Sequence, residues 1–302
     1  MEPEIRKVCV VGAGQMGSGI GQVCAQAGLE VALCDTSQAA LDRALEAIAW
    51  SVGKLAEKGR LREGPQQVMG RIATSRELEP AAGAQLVIEA VFEDQAVKTR
   101  VLEELGGIAP RESLVATNTS AIPISELAAA LPAPERFLGL HFFNPVPMMQ
   151  AVEVVRGILT SGESFRRGAE FVRAIGKTPI LVRRDVAGFV INRINYPAIM
   201  EAMRLVEQGV VSVQDVDQGL RLASGRRMGI FETSDLVGLD VTYGALLAMH
   251  RETGEDRWFP PFILRRKVKA GNLGRKTGIG WYRYDQQGRR LGPAELFGGE
   301  DE

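Results

Sequence analysis

Val11-Gly12-Ala13-Gly14-Gln15-Met16-Gly17-Ser18-Gly19-Ile20 (VGAGQMGSGI, 11–20) is the stretch whose reading decides the fold. An apolar run, Ile5 to Val11, precedes it and reads as a short buried strand; Gln15 to Ala27, which it opens, reads as a helix. In that setting the glycines have separate work. Gly12 makes a tight turn, Gly14 lets backbone approach a pyrophosphate closely, and Gly17 lets helix pack on strand. Gln15 and Met16 complete the loop as the first helical turn, whose free N–H groups and dipole favour an anion. Gly28 ends the helix, Glu30 to Cys34 makes a second strand, and Asp35 closes it. That acid stands 18 residues after Gly17, where a dinucleotide-binding fold places its ribose-binding carboxylate. Strand, glycines, helix, strand and acid in register predict a Rossmann-type, mostly parallel sheet that binds NAD.

Outward from this core the periodicity continues as α/β. Ser37 to Lys58 carries a helical stripe, Leu41, Leu45, Ile48, Val52 and Leu55, behind a Ser37 cap. Gln85 to Val91 and Ser113 to Ala116 read as strands, followed respectively by Glu93 with a helix containing Lys98, and by Thr117-Asn118-Thr119-Ser120 with a short helix, Ile124 to Leu131. Polar residues just past the carboxyl ends of strands are where open α/β sheets bind ligands. Gly162 to Ile175 reads as a helix and Thr178 to Val182 as a last strand, after which Arg183-Arg184-Asp185 marks a domain boundary. Beyond it the pattern is helical: Val186 to Glu207, Val213 to Ala223, Val241 to His250 and Phe262 to Ala270. The expected organisation is a dinucleotide-binding domain over 1–185 and an all-helical substrate or dimerisation domain over 186–302. Asp285 onward reads as a polar, disordered tail.

Composition narrows the function classes. With 302 residues, two domains are the prior. Net charge is −1 from 36 basic and 37 acidic residues, which argues against a nucleic-acid or membrane-surface partner. No apolar run reaches the roughly 18 residues of a membrane span. Cys9, Cys24 and Cys34 lack CxxC spacing, which suits buried thiols in a reducing compartment better than a disulfide framework or a metal site. Met1-Glu2-Pro3-Glu4 has neither the basic nor the apolar region of a targeting signal, so the cytoplasm is expected.

The segment from Arg136 to Val155, RFLGLHFFNPVPMMQAVEVV, holds one of only two histidines in the chain. His141 ends one apolar run; Asn144-Pro145-Val146-Pro147 forces the backbone out of the sheet; Met149 to Val155 returns as a second run carrying Glu153. A carboxylate in such a run needs a partner, and strand–loop–strand geometry lets His141 supply it. An imidazole backed by a carboxylate is a general base suited to neutral pH. A satisfied core histidine and an edge-strand glutamate is the other reading of the same spacing.

VGAGQMGSGI (11–20), VIEAVFED (87–94), TNTS (117–120), GLHFFNPVPMMQAVEVV (139–155), GFVINRINYPAIMEA (188–202), DLVGLDV (235–241) and GRKTGIGWYRY (274–284) together resemble the 3-hydroxyacyl-CoA dehydrogenase family, of the short 3-hydroxybutyryl-CoA dehydrogenase type. The resemblance implies NAD-dependent, reversible oxidation of an L-3-hydroxyacyl-CoA to a 3-ketoacyl-CoA, in fatty acid metabolism. It implies His141 as base and Glu153 as its orienting carboxylate, with Ser120 and Asn192 at the reacting end of the substrate. Asp35 would bind the adenosine ribose, and Glu93, Lys98, Asn144 and Lys276 the nicotinamide side. Ser51 and Lys58 match the coenzyme A contacts by register from Asp35. Asn192 would come from the helical domain, closing the site against water. A homodimer through residues beyond 186 is implied as well, and the wide apolar stripe Val190, Ile194, Pro197, Ile199, Met203 and Val206 agrees with it. One departure stands out: the family's Pro-Met-Gly-Pro turn appears as Arg227-Met228-Gly229-Ile230. Two other functions remain open at this level, a dehydrogenase of a free hydroxy acid or sugar acid, and a non-catalytic NAD-binding structural protein.

Overall fold

A computed structural model describes residues 5–295; the start read for a targeting signal (1–4) and the end of the tail (296–302) lie outside the described residues. The chain divides into two compact units, Met1–Phe189 and Val190–Glu302.

The first unit is built on one eight-stranded sheet: β1 (Lys7–Val11), β2 (Glu30–Cys34), β3 (Ile72–Ser75), β4 (Leu86–Glu89), β5 (Leu114–Thr117), β6 (Phe137–Phe142), β7 (Ala151–Val155) and β8 (Thr178–Val182), in the order β3-β2-β1-β4-β5-β6-β7-β8. Every pairing is parallel except β6 with β7. The order switches direction between β1 and β4, so a crevice for ligand is expected outside their carboxyl ends. Both faces of the sheet are covered, and alternate side chains serve different cores. Val8, Val10, Leu86, Ile88, Leu138 and Leu140 enter one cluster; Cys9, Val11, Val87, Val115, Phe137 and Val155 enter the other. By the same alternation Glu89, Thr117, His141 and Glu153 belong to the second face.

The helix Gln15–Gln26 lies against β2, and Ser37 caps Gln38–Glu57 by accepting from the Ala40 N–H at 3.3 Å. Burial holds the Cys24 thiol up at about 12; all three cysteines are buried and none is in a disulfide, the Cys9 and Cys34 sulfurs lying 3.7 Å apart. β3 and the short helix Pro65–Met69 are additions to the sequence reading. β3 is an edge strand, IATS, with too little apolar alternation to announce itself.

The second unit packs helices Ile191–Glu207, Val213–Ser224, Ile230–Val237, Leu239–Thr253 and Phe262–Lys269 with a terminal hairpin. Three expectations need correction. The first helix starts at Ile191 rather than Val186, because Gly188 (φ 74°) and Phe189 (φ 49°) are left-handed and no α-helix passes through such residues. The apolar spacing of Val186, Phe189 and Val190 imitates a helical stripe there. Secondly, Ile230–Val237 is a helix that periodicity alone did not mark. Its first turn is capped from a distance: buried Asp217 accepts from the Phe231 and Glu232 N–H groups at 2.8 and 3.0 Å. Ile230 occupies the first helical position, where a proline is favoured, and the helix starts there without one. Thirdly, residues from Asp285 are ordered up to Pro293, not a loose tail. Tyr282–Tyr284 pairs antiparallel with Arg290–Pro293, Asp285 accepts from the Gln287 and Arg289 N–H groups to close the turn, and the Arg290 guanidinium lies 4.7 Å from the Tyr282 ring centroid. Asp235, also buried, takes N–H bonds from Trp281 and Tyr282 and a hydroxyl bond from Tyr284, tying the hairpin to the helices.

Candidate active site

The antiparallel pairing of β6 and β7 sets His141 directly opposite Glu153. Their side chains meet with Nδ1 2.7 Å from Oε2, and only 5% of His141 and none of Glu153 is exposed. A carboxylate can only accept, so the contact places a proton on Nδ1 and leaves Nε2 with its lone pair free to act as base. Phe143 and Phe189 stand beside the imidazole, ring centroids 4.6 and 5.5 Å away. The connection between the two strands contains a cis peptide bond at Asn144-Pro145. Lys177 holds that loop from beneath, its ammonium donating to the Val146 and Met149 carbonyls at 2.8 and 2.6 Å. Val146 in turn packs where a side chain on Gly19 would otherwise stand, 2.8 Å from the position of its Cβ.

The glycine loop has the shape the sequence requires. Gly12 is left-handed (φ 104°), and a Cβ there would meet the Ala90 carbonyl oxygen at 2.6 Å. A Cβ on Gly17 would lie 1.7 Å from the Gly12 oxygen, so helix and turn touch only because it is absent. Gly14 differs: a Cβ there meets nothing within 4 Å, and no side chain caps the helix that it begins. Open space over uncapped N–H groups suits a pyrophosphate. Asp35 follows β2, with Oδ2 accepting from the Ala13 N–H at 2.8 Å and Oδ1 from the Ser37 N–H at 2.9 Å, which anchors the carboxylate beside the loop. The residues present therefore fit an NAD molecule.

Between these two parts lies a polar network centred on a residue the sequence reading passed over. Glu89, at the end of β4, is fully buried with Lys98 (0% and 1% side-chain exposure). Its Oε1 accepts from Lys98 Nζ at 2.8 Å and from the Val91 N–H at 2.7 Å, while Oε2 accepts from the Thr117 hydroxyl at 2.6 Å. Lys98 reaches onward to Glu93 Oε2 at 3.3 Å. The other Glu93 oxygen gathers the Thr119 hydroxyl at 2.6 Å, the Ser120 N–H at 2.8 Å, the Ser120 hydroxyl at 3.2 Å and the Ala121 N–H at 3.1 Å. Burial works against ionisation of Glu93, but the Lys98 charge and these hydrogen bonds outweigh it and hold its carboxyl below the usual range. Asn118 joins the adjoining strand by accepting from the Phe142 N–H at 2.9 Å.

His141, Glu153, Ser120, Glu93 and Lys98 thus all stand at the carboxyl ends of β4, β5 and β6 or directly opposite on β7. Asn144 lies in the loop that follows His141, and Gln15 and Met16 in the first turn after the glycines. Ser51 and Lys58 are not part of this group: they lie in the β2–β3 connection, at the other edge of the sheet, with Lys58 exposed and the Ser51 hydroxyl accepting from Gln22 Nε2 at 3.0 Å. In the second unit Asn192 is in the first turn of Ile191–Glu207, and Lys276 Nζ donates to Asp240 at 2.6 Å. Among the described residues no group of histidine, cysteine, aspartate and glutamate is arranged to hold a metal ion. The residues missed were Glu89 and Lys177; Thr117, read as lying just past its strand, is the last residue of β5. The one signal for Glu89 was an acid inside an otherwise apolar strand, the signal that did reveal Glu153.

Models of two domains match the chain: the 3-hydroxyacyl-CoA dehydrogenase NAD binding domain over residues 7–186 and the 3-hydroxyacyl-CoA dehydrogenase C-terminal domain over residues 188–284. A protein of Deinococcus radiodurans named "Probable 3-hydroxybutyryl-CoA dehydrogenase" is 44% identical over 92% of this chain and 100% of its own length. The crystal structure of FadB2 from M. tuberculosis superposes with a TM-score of 0.90 at 40% identity, covering 93% of this chain and 99% of that one. That of the (S)-3-hydroxybutyryl-CoA dehydrogenase PaaH1 from Ralstonia eutropha gives 0.87 at 37% identity, covering 94% and 100%.

Proposed function

The chain belongs to the 3-hydroxyacyl-CoA dehydrogenase family, and from that premise we propose how its residues carry the family reaction. That reaction is the NAD-dependent oxidation of a 3-hydroxyacyl-CoA to the 3-ketoacyl-CoA. The substrate is the short L-3-hydroxybutyryl-CoA, a reading supported by the names of the relatives that match along nearly their whole length. One observation carries the assignment of roles, the 2.7 Å contact between His141 and Glu153. His141 Nε2 takes the proton of the C3 hydroxyl, and in reduction the imidazolium returns it to the keto oxygen. Glu153 fixes the tautomer and stabilises the imidazolium. Ser120, held by Glu93, and Asn192 contact the reacting end of the substrate.

NAD supplies the hydride acceptor when bound. Gly12, Gly14, Gln15, Met16 and Gly17 hold its pyrophosphate, Asp35 its ribose, and Glu93, Asn144 and Lys276 its nicotinamide side, with Lys98 behind Glu93. Ser51 and Lys58 meet the coenzyme A moiety. The second unit forms a homodimer; exposed Ile194, Val210, Leu222, Val241 and Phe259 within it support that reading. The cytoplasm suits three reduced, buried thiols. Near-neutral net charge supports the absence of nucleic-acid and membrane partners, and no helix of the described residues is long and apolar enough to cross a membrane.

The test follows NADH oxidation with acetoacetyl-CoA, with longer 3-ketoacyl-CoAs and with free acetoacetate. The highest kcat/KM is expected for acetoacetyl-CoA. Turnover of the free acid without turnover of any thioester would overturn the substrate reading; NADH binding with no turnover at all would make the protein a structural NAD binder. Light scattering should give twice the 32.7 kDa chain mass, and a monomer mass would remove the dimer.

A further inference from the structure

We infer that Glu89 is a positioning residue for the substrate's reacting end, acting through Lys98 and Glu93 on Ser120. The inference rests on the proposed role of Ser120. Glu89 occupies the last position of β4, in register with Thr117 of β5, and has its carboxylate saturated by Lys98, Thr117 and the Val91 N–H. A fully buried carboxylate and ammonium are costly to keep in a sheet, and apolar residues of similar volume would hold strand and helix together at least as well. The pair therefore calls for an explanation beyond packing. Its geometry supplies one.

Lys98 bridges Glu89 and Glu93 directly, at 2.8 Å to one and 3.3 Å to the other. Glu93 sits on a loop with 40% of its side chain exposed, so its own burial does not fix it. With Lys98 pinned at the strand end, one Glu93 oxygen is drawn inward and the other is turned to the Thr119–Ala121 turn, where it meets four donors. The Ser120 N–H and hydroxyl are two of those four. Glu89 also binds this turn from its other side, because Thr117, which donates to Glu89 Oε2, accepts from the Thr119 N–H at 3.2 Å. Both routes from Glu89 converge on the residue that would touch the reacting end of the substrate. Neither passes through the glycine loop or Asp35.

The test is a double-mutant cycle in kcat for acetoacetyl-CoA reduction, using Glu89→Gln, Glu93→Gln and both together. Glu89→Gln should lower kcat on the order of 10–100-fold, the scale of losses from small misplacement of a reacting group. NADH affinity, read by fluorescence titration, should fall less than kcat, by no more than about threefold, since the pyrophosphate and ribose contacts are untouched and only the nicotinamide side is disturbed. If Glu89 acts through Glu93, the double variant should be no more than two- to threefold slower than Glu93→Gln alone. Losses that multiply would overturn the inference, as would a lowered melting temperature with kcat within about threefold of wild type. Should Glu89→Gln fail to fold, Thr117→Val removes the hydroxyl that donates to Glu89 and accepts from the Thr119 N–H, and leaves the Lys98–Glu89 ion pair in place. It should lower kcat by roughly 3–10-fold, with NADH affinity within about threefold. An unchanged kcat with a lowered melting temperature would count equally against the inference. Wild-type protein that does not turn over acetoacetyl-CoA would remove the proposed role of Ser120, and this inference with it.

Discussion

The sheet buries two carboxylates beside nitrogen partners, Glu153 with His141 and Glu89 with Lys98, and the two pairs differ in how they come together. The first lies across an antiparallel ladder whose strands are joined by a short loop, so residues 12 apart in sequence face each other. The second joins a strand end to the helix that follows it, and its third member, Thr117, arrives from the neighbouring parallel strand after a complete crossover, 28 residues on. They also differ in what the nitrogen can do. An imidazole bound at Nδ1 still offers Nε2 to a ligand. The Lys98 ammonium has its donors engaged by Glu89, Glu93 and the Val91 carbonyl. One pair leaves a ring nitrogen available, and the other has its nitrogen saturated.

Substituting His141 tests that contrast most severely. His141→Gln should lower kcat by roughly 10²–10⁴, the usual worth of positioned acid–base help, with NADH binding nearly unchanged. A kcat within a few-fold of wild type, together with a lowered melting temperature, would make His141 a core residue and erase the distinction.

Lys98→Met should do the opposite kind of damage. It leaves Glu89 buried without its cation, at a cost of about 3–5 kcal/mol, visible as a large drop in melting temperature even without NADH. Unchanged thermal stability would mean that Glu89 finds another partner and that the pair is not a structural hub.

Glu153→Gln keeps the shape of the first pair and removes its charge. The expected loss is in kcat, roughly 10–100-fold and smaller than that of His141→Gln, since the base itself remains. Equal losses for the two variants would show the pair acting as one unit.

Acid titration resolves the smallest difference. The Glu93 carboxyl is held below its ordinary value of 4.5, burial opposing and Lys98, Thr119 and Ser120 prevailing. Because the folded value lies below the unfolded one, this contribution is complete above about pH 4.5 and is lost as pH falls through the folded value. Glu93→Gln should therefore flatten the acid limb of melting temperature against pH below that point. Its exposure keeps the effect small. Parallel acid limbs for variant and wild type would show that Lys98 is not coupled to Glu93.

The sequence by itself determined the dinucleotide-binding architecture and its main chemical groups, because each rests on contacts close in the chain. The glycine loop, its helix and Asp35 lie within one βαβ unit, where the absence of a Cβ and the length of a strand leave little freedom. His141 and Glu153 were legible for the same reason, a short turn forced by prolines between two apolar runs. Tertiary structure alone decided the rest. Glu89 reads as one acid in an apolar strand until a parallel neighbour brings Thr117 and the next helix brings Lys98. The break before Ile191 depends on left-handed Gly188 and Phe189, which apolar spacing does not reveal. Ile230–Val237 is capped by an aspartate from another helix, and the hairpin after Trp281 is held by Asp235, 46 residues before it. Local propensity encodes turns and strands, but which buried charge meets which partner depends on non-local packing, since only the folded chain removes the water that would otherwise solvate each group separately.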